Sequence, residues 1–257
     1  MDILIVSLAA LAASALTLFS GFGLGTLLMP VVAIFFPIEM AIAITAIVHL
    51  ANNLFKVALL GKHAVRSVLI SFGVPAIIFA LLGALALNWI ADMPSLIAYT
   101  LLGRPMQVFP AKLLIGLLIL SFVMLEFSKK FAAITLDRKY LPAGGAISGF
   151  FGGFSGHQGA FRSMFLLKAG LDKKQFVATG VLLAVMVDMS RMLVYGWEMS
   201  ADRQAINWAL VLAATLSAFA GAFMGTRLLN KLTIRSIQLM VSVLLIFVAV
   251  GLITGFL

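Results

Sequence analysis

Cysteine is absent from the 257-residue chain, which excludes disulfides, thiol chemistry and Cys-ligated metals. Charge is scarce: Asp, Glu, Lys and Arg together make 11% of the residues, against about a quarter in an ordinary soluble domain. Enzyme motifs are missing too. The three histidines show no HExxH or comparable metal-ligand spacing, and no Walker A sequence occurs. Gly153-Phe154-Ser155-Gly156-His157 matches neither the GxSxG elbow nor another nucleophile motif. No enzyme activity, cofactor or metal is therefore expected. The start, Met1-Asp2-Ile3, lacks the basic region of a signal peptide, so the first apolar segment is read as part of the mature chain. Ten-residue alternating segments, the mark of an outer-membrane barrel, are also wanting.

What remains is apolar. Hydrophobic residues make 63% of the chain, and the mean hydropathy is +1.17. Six segments are long enough to cross a bilayer: roughly 40–60, 67–89, 109–127, 176–196, 204–226 and 236–256. Two more, about 3–37 and 140–168, are broken by glycine. The first breaks at Ser20-Gly21-Phe22-Gly23-Leu24-Gly25, with Pro30 shortly after. The second breaks at Gly152-Gly153-Phe154-Ser155-Gly156-His157-Gln158-Gly159. Each is either one span or a hairpin that enters and leaves on the same side.

The net charge of +9 does not indicate nucleic acid, because most basic residues lie in short loops, where membrane orientation demands them. With 140–168 as a hairpin, one face collects Lys62, Arg66, Lys129, Lys130, Arg138, Lys139, Lys168, Lys173, Lys174, Arg227, Lys231 and Arg235. The other keeps Arg104, Lys112 and Arg203. With both broken segments as single spans the bias vanishes, so the positive-inside rule selects the hairpin. Trp89, Trp197 and Trp208 then fall near the outer interface, where indoles are favoured. For 3–37 charge is uninformative, and a hairpin there rests on symmetry.

That symmetry comes from sliding the chain on itself by 135 residues. Phe19-Ser20-Gly21 falls on Phe154-Ser155-Gly156, and Asn53, Lys56 and Gly61 fall on Asp188, Arg191 and Gly196. The expected fold is an all-α polytopic membrane protein of two inverted repeats, each a Gly-broken hairpin followed by three spans. Residues 1–127 form the first repeat, 128–139 a cytoplasmic linker and 140–257 the second. Inverted repeats with discontinuous helices are common in secondary transporters, whose sites lie near the midplane between the repeats.

Broken backbone in a membrane survives where it is buried in protein or lines a wet cavity. Half-helix N-termini there offer free N–H groups and a positive dipole end. Gly23, Gly25, Thr26 and Gly159 are candidate substrate-binding positions on that ground; the competing role is helix packing, since Gly21-x-x-x-Gly25 and Gly152-x-x-x-Gly156 fit the small-xxx-small pattern. His49, Asn52, Asn53 and Lys56 share one helix face and should point into the bundle. Asp188 and Arg191 are their counterparts. Lys56 and Arg191 either bind substrate or snorkel from span ends. Arg162, just past the second break, is too deep to snorkel and should meet a substrate anion or Asp188. His157 and Gln158 either donate to a ligand or satisfy the broken backbone. Asp188, His49 and His157 are candidates for a coupling proton.

Ser20-Gly21-Phe22-Gly23-Leu24-Gly25-Thr26-Leu27-Leu28-x-Pro30, followed by Ala43-x-Thr45, resembles the start of the TauE/SafE sulfite exporter family, also called four-toluene-sulfonate uptake permeases. Ser148-Gly149-Phe150-Phe151-Gly152-Gly153-Phe154-Ser155-Gly156 and Ala178-Thr179-Gly180 extend the resemblance through the second half. It implies proton-motive-force-linked transport of sulfite, organosulfonates or related small anions across the bacterial inner membrane. Two departures stand at the second break. His157-Gln158 replaces a denser glycine run, and Met164-Phe165 occupies the region matching the proline after the first break. The reading is a multi-pass secondary transporter of sulfite or an organosulfonate such as sulfoacetate, with export favoured by the resemblance and alternating access by rocking of one repeat against the other. Its expected partners are the small anion, the lipid bilayer and a second copy in a homodimer, with no nucleic acid. The alternatives are a non-transporting assembly or binding subunit and an anion channel.

The charge split yields a topology test. Single cysteines at Lys62 and Lys173, introduced without native background, should both label from the cytoplasmic side. Labelling from opposite sides would remove the second hairpin and the inverted repeat with it.

Overall fold

The computed structural model describes residues 1–20, 23–101, 103–128, 136–167, 169–201, 207–228 and 234–257. Gly21 and Phe22 of the first break, and the loop cations Lys129, Lys130, Lys168, Arg203 and Lys231, lie outside these residues. So do the side chains of Glu39, Glu126, Lys173, Trp197, Glu198, Arg227 and Arg235. Among the described residues the order is α1 Asp2–Ser20, α2 Leu24–Val32, α3 Ile38–Leu60, α4 Arg66–Ala91, β1 Ile97–Leu101, β2 Arg104–Val108, α5 Pro110–Phe127, α6 Leu141–Ser155, α7 Gly159–Leu166, α8 Lys173–Ala201, α9 Trp208–Leu228 and α10 Ile234–Ile253. Met40–Ala58, Arg66–Ala91, Lys174–Val194 and Trp208–Gly225 are long and apolar enough to cross a membrane. Asp2–Leu16 and Pro110–Leu125 are shorter apolar stretches. The fold is that of an all-α membrane protein with a small β-hairpin.

Both expected breaks are present. The first parts α1 from α2 at an extended Gly23. The second follows Ser155, where Gly156 takes φ +80°, a left-handed helix end that a Cβ would oppose. Every residue of α2 is buried, as suits a helix apolar on all sides. On α4 the usual size order is reversed: Ile70, Val74, Ile78, Leu82 and Leu85 are exposed while Gly73, Ala76, Ala80 and Ala84 are buried. Such a face belongs in lipid, where small residues make the helix contacts. Trp89 and Trp208, at the end of α4 and the start of α9, stand exposed, as interfacial anchors do.

Helix pairing crosses the two halves of the chain. The first arm of each broken segment packs on the second unbroken helix of the other half, α6 on α4 and α1 on α9; likewise α3 packs on α8, and α5 on α10. One end of the bundle joins Arg138 to Ser67 (2.6 Å) and the Val65 N–H to Thr179 Oγ1 (3.0 Å). Loops expected on the same face thus meet.

Two local features lie outside the sequence reading. The segment 90–108, between two expected spans, holds an antiparallel hairpin pairing Ile97 with Val108 and Leu101 with Arg104. Gly103, at φ +77°, makes its tight turn, and Tyr99 Oη donates to the Thr254 carbonyl at 2.5 Å. The hairpin is therefore fastened to the end of α10. The closest backbone packing also involves glycines outside the two small-xxx-small pairs. Gly145, Gly149 and Gly153 lie against the carbonyls of Phe72, Ala76 and Ala80; an added Cβ would come to 2.1, 2.2 and 2.0 Å of those oxygens. Gly152 faces Val187 and Gln158, and at Gly25 a Cβ would find ordinary contacts from 3.7 Å outward.

Packing and break glycines should therefore separate experimentally. Gly149→Ala forces the α4 and α6 backbones apart and should cost about 1–3 kcal/mol. Gly25→Ala should leave folding unchanged. Thermal unfolding in detergent, followed by fluorescence-detected size exclusion, checks both; equal loss would erase the distinction.

Candidate functional site

The polar face of α3 and the matching part of α8 meet at the two breaks, and Asp188 is the centre of the cluster. Its side chain is wholly buried. Oδ2 accepts from His49 Nδ1 at 2.6 Å and Asn53 Nδ2 at 3.4 Å. Oδ1 accepts from Arg191 Nη2 at 2.7 Å and Gln158 Nε2 at 3.3 Å. Four donors from α3, α8 and the second break fill the roughly four acceptor positions of a carboxylate. Asn53 and Asp188 stand 135 residues apart, the offset of the sequence repeat, so the two matching positions touch each other.

Because a carboxylate accepts, the 2.6 Å contact puts the His49 proton on Nδ1. Nε2 then faces the Asn53 amide at 3.2 Å and the first break, where a Cβ on Gly23 would come within 3.3 Å of it. The breaks also approach each other: the Cβ position of Gly25 lies 3.7 Å from the Gly156 carbonyl. Thr26 is buried in the first turn of α2, its N–H donating to the Gly23 carbonyl at 3.1 Å. Gly159, also buried, opens α7. The N-terminal ends of α2 and α7 thus border the cluster, each bringing a positive dipole end.

Arg191 does not snorkel. It is buried, and besides Asp188 it donates through Nη1 at 3.3 Å to the Gly152 carbonyl, which also accepts the Gly156 N–H at 3.1 Å. Arg162 reaches Asp188 only through Gln158, whose Oε1 accepts from Arg162 Nη1 at 3.2 Å. Lys56 is 6% exposed, has no partner among the described residues, and lies within electrostatic range of Arg162. Asn52 turns away from this centre, its Oδ1 accepting from Ser14 of α1 at 3.1 Å.

Gln158 serves the broken backbone as well as the cluster, its carbonyl accepting from Ser148 Oγ at 3.0 Å. His157 stacks on Phe122 with centroids 5.7 Å apart, and its Nδ1 lies 2.9 Å from the Ser155 carbonyl. A carbonyl only accepts, so Nδ1 carries the proton. Nε2 is buried without a partner and bears the lone pair of the neutral ring. It donates only when the ring is protonated, which narrows the donor role expected of it. Arg191 Nε, Asn52 Nδ2 and Thr45 Oγ1 are also enclosed and unpartnered. Thr45 was absent from the candidate stripe, although it lies one turn before His49 on the same face. Extending the i, i+4 spacing by one step would have included it. Ser14 and Ser148 carried no such signal. Among the described residues no group of acidic and histidine side chains could hold a metal.

The Asp188 cluster should be a structural centre. Removing one member of a buried ion pair costs about 3–5 kcal/mol, so Asp188→Ala should lower thermal stability in detergent far more than Lys56→Met. Equal stability of the two variants would deny Asp188 that role.

Comparison with curated proteins gives no match, and comparison with solved structures gives none. The family described as Sulfite exporter TauE/SafE matches residues 6–252, nearly the whole chain and both breaks. This chain belongs to the TauE/SafE sulfite exporter family.

Proposed function

We propose that the protein is a secondary transporter that exports a small anion, sulfite or an organosulfonate such as sulfoacetate, across the bacterial inner membrane at the expense of the proton motive force. The observation that carries the proposal is the convergence of both breaks on a buried polar cluster with unspent donors. Arg191 Nε has no partner, and among the described residues the Arg162 guanidinium donates to a neutral amide oxygen, that of Gln158. Enclosed unpaired donors cost free energy unless a ligand completes them. A sulfonate-type headgroup offers several acceptor oxygens, and the Arg162 fork suits two of them at once. Gly23, Gly25, Thr26 and Gly159 would let the anion approach backbone N–H groups, while His157, Gln158, Asn53, His49, Lys56 and Arg191 complete the surround.

The same reading takes the chain as two inverted repeats, 1–127 and 140–257, joined by a linker at 128–139. The 135-residue offset, the crossed pairing of broken and unbroken helices, and the contact of Asn53 with Asp188 all support it. In a twofold arrangement, matching residues can touch only close to the axis, which is where transporters of this architecture bind substrate. Coupling requires a group that gains and loses a proton at the site. His49 and His157 have neutral tautomers fixed by their partners, and Asp188 is held by four donors.

Flux into proteoliposomes tests the proposal. Sulfite or sulfoacetate flux should saturate and respond to an imposed pH gradient. Unsaturable flux would indicate a channel, and no flux an assembly subunit. Arg162→Ala should cost about 2–5 kcal/mol of anion binding, the range for a desolvated charge pair, and Arg162→Lys a smaller part, because the charge stays and the fork goes. Calorimetry on monodisperse variants measures both; unchanged affinity in Arg162→Ala would make Arg162 structural.

A further inference from the structure

The arrangement of buried charge carries one step more, which rests on the transporter reading above. Asp188 has four donors, and Arg191 lies against it at 2.7 Å. As a pair these two contribute no net charge. Arg162 remains, 9% exposed, together with Lys56, 6% exposed. Neither has a carboxylate within ion-pair distance among the described residues. Asp188 is also the only buried carboxylate among the described side chains: Asp92, Asp137 and Asp172 are exposed, and Asp2 opens α1 at the chain terminus. Two like charges therefore lie buried about one centre: Lys56 stands one turn beyond Asn53 on α3, and Arg162 of α7 bonds Gln158, while Asn53 and Gln158 both hold Asp188. Protonation of His49 or His157 would only enlarge the excess.

We infer that the site is built for an anion with two negative charges, either a compact doubly charged oxyanion or a sulfonate bearing a second anionic group, in preference to a singly charged sulfonate. One charge neutralises Arg162, whose fork takes an oxygen edge. The second neutralises Lys56, which as a point charge sets no geometric demand. A monoanion leaves one buried cation uncompensated, and such a charge is costly within a membrane protein. Lys56 is thus the residue that reads substrate charge, while Arg162 reads the headgroup.

Two matched pairs of anions test the inference on the full chain in detergent at pH 7 and fixed ionic strength. Sulfate is compared with methanesulfonate, and sulfoacetate with ethanesulfonate; within each pair one anionic group is replaced by methyl. In the parent protein the dianion of a pair that binds should be favoured by about tenfold or more, a modest value for a desolvated charge pair. Lys56→Met should weaken the dianion by a similar factor and leave the monoanion within about threefold, whereas Lys56→Arg should keep the preference. Each variant is first checked for a single size-exclusion peak. The parent comparison stands even where a variant fails to fold. Equal affinity for both members of a pair, or equal loss of both in Lys56→Met, would overturn the inference and leave the transporter intact. Failure of every anion, sulfite included, in both binding and flux would overturn the transporter reading as well.

Discussion

A carboxylate without access to water is tolerable only when its acceptor positions are filled, and Asp188 meets that condition through four donors on three elements. His49 and Asn53 bring α3 to it, Arg191 fixes its own helix, and Gln158 ties in the second break. The first break follows, because Gly23 closes on His49. In the low dielectric of the bundle these contacts are strong, and each also prevents a desolvation penalty elsewhere. The site geometry is therefore a consequence of neutralising one acidic side chain. Saturating it has a second effect. Arg162 and Lys56 cannot borrow it, which leaves the positive charge near the breaks unspent.

Glycine does two different jobs within a short stretch of α6. Gly145, Gly149 and Gly153 let α6 lie directly on the carbonyls of α4, the kind of close approach that replaces the hydrophobic effect as a source of helix association in lipid. Gly156 instead ends the helix with a positive φ, exposing backbone that the cluster must satisfy. The neighbouring Gly152 borders Gln158 and Val187 and so belongs to the break. Composition alone gives all of these the same letter.

Much of the architecture was legible before the coordinates. Apolar runs of about 20 residues can do little but cross a bilayer, and glycine clusters inside such runs announce breaks. The stripe of His49, Asn52, Asn53 and Lys56 was readable because helical spacing is a local property. Partnership was not. His49 and Asp188 are 139 residues apart, and no periodicity encodes which helix faces which. Asn52 belongs to the stripe yet serves a contact with Ser14, because a helix face is wide enough to meet two neighbours. Arg191 read equally well as a snorkelling residue, since burial depends on helices distant in sequence. The β-hairpin was not foreseen, because it docks on Thr254 and Gly255, far away in the sequence.

The backbone seam between α4 and α6 has a counterpart on the other flank, where Gly221 and Gly225 of α9 press on the carbonyls of Leu11 and Ala15 in α1. Both seams join an element of residues 1–127 to one of residues 140–257. Separating residues 1–127 from 140–257 would therefore open two of the tightest contacts among the described helices. The halves that the sequence repeats are not the halves that could move as solid pieces. The first arm of each broken segment is carried by a helix from the opposite half, so a half produced alone would present its glycine-lined groove to lipid with nothing to fill it.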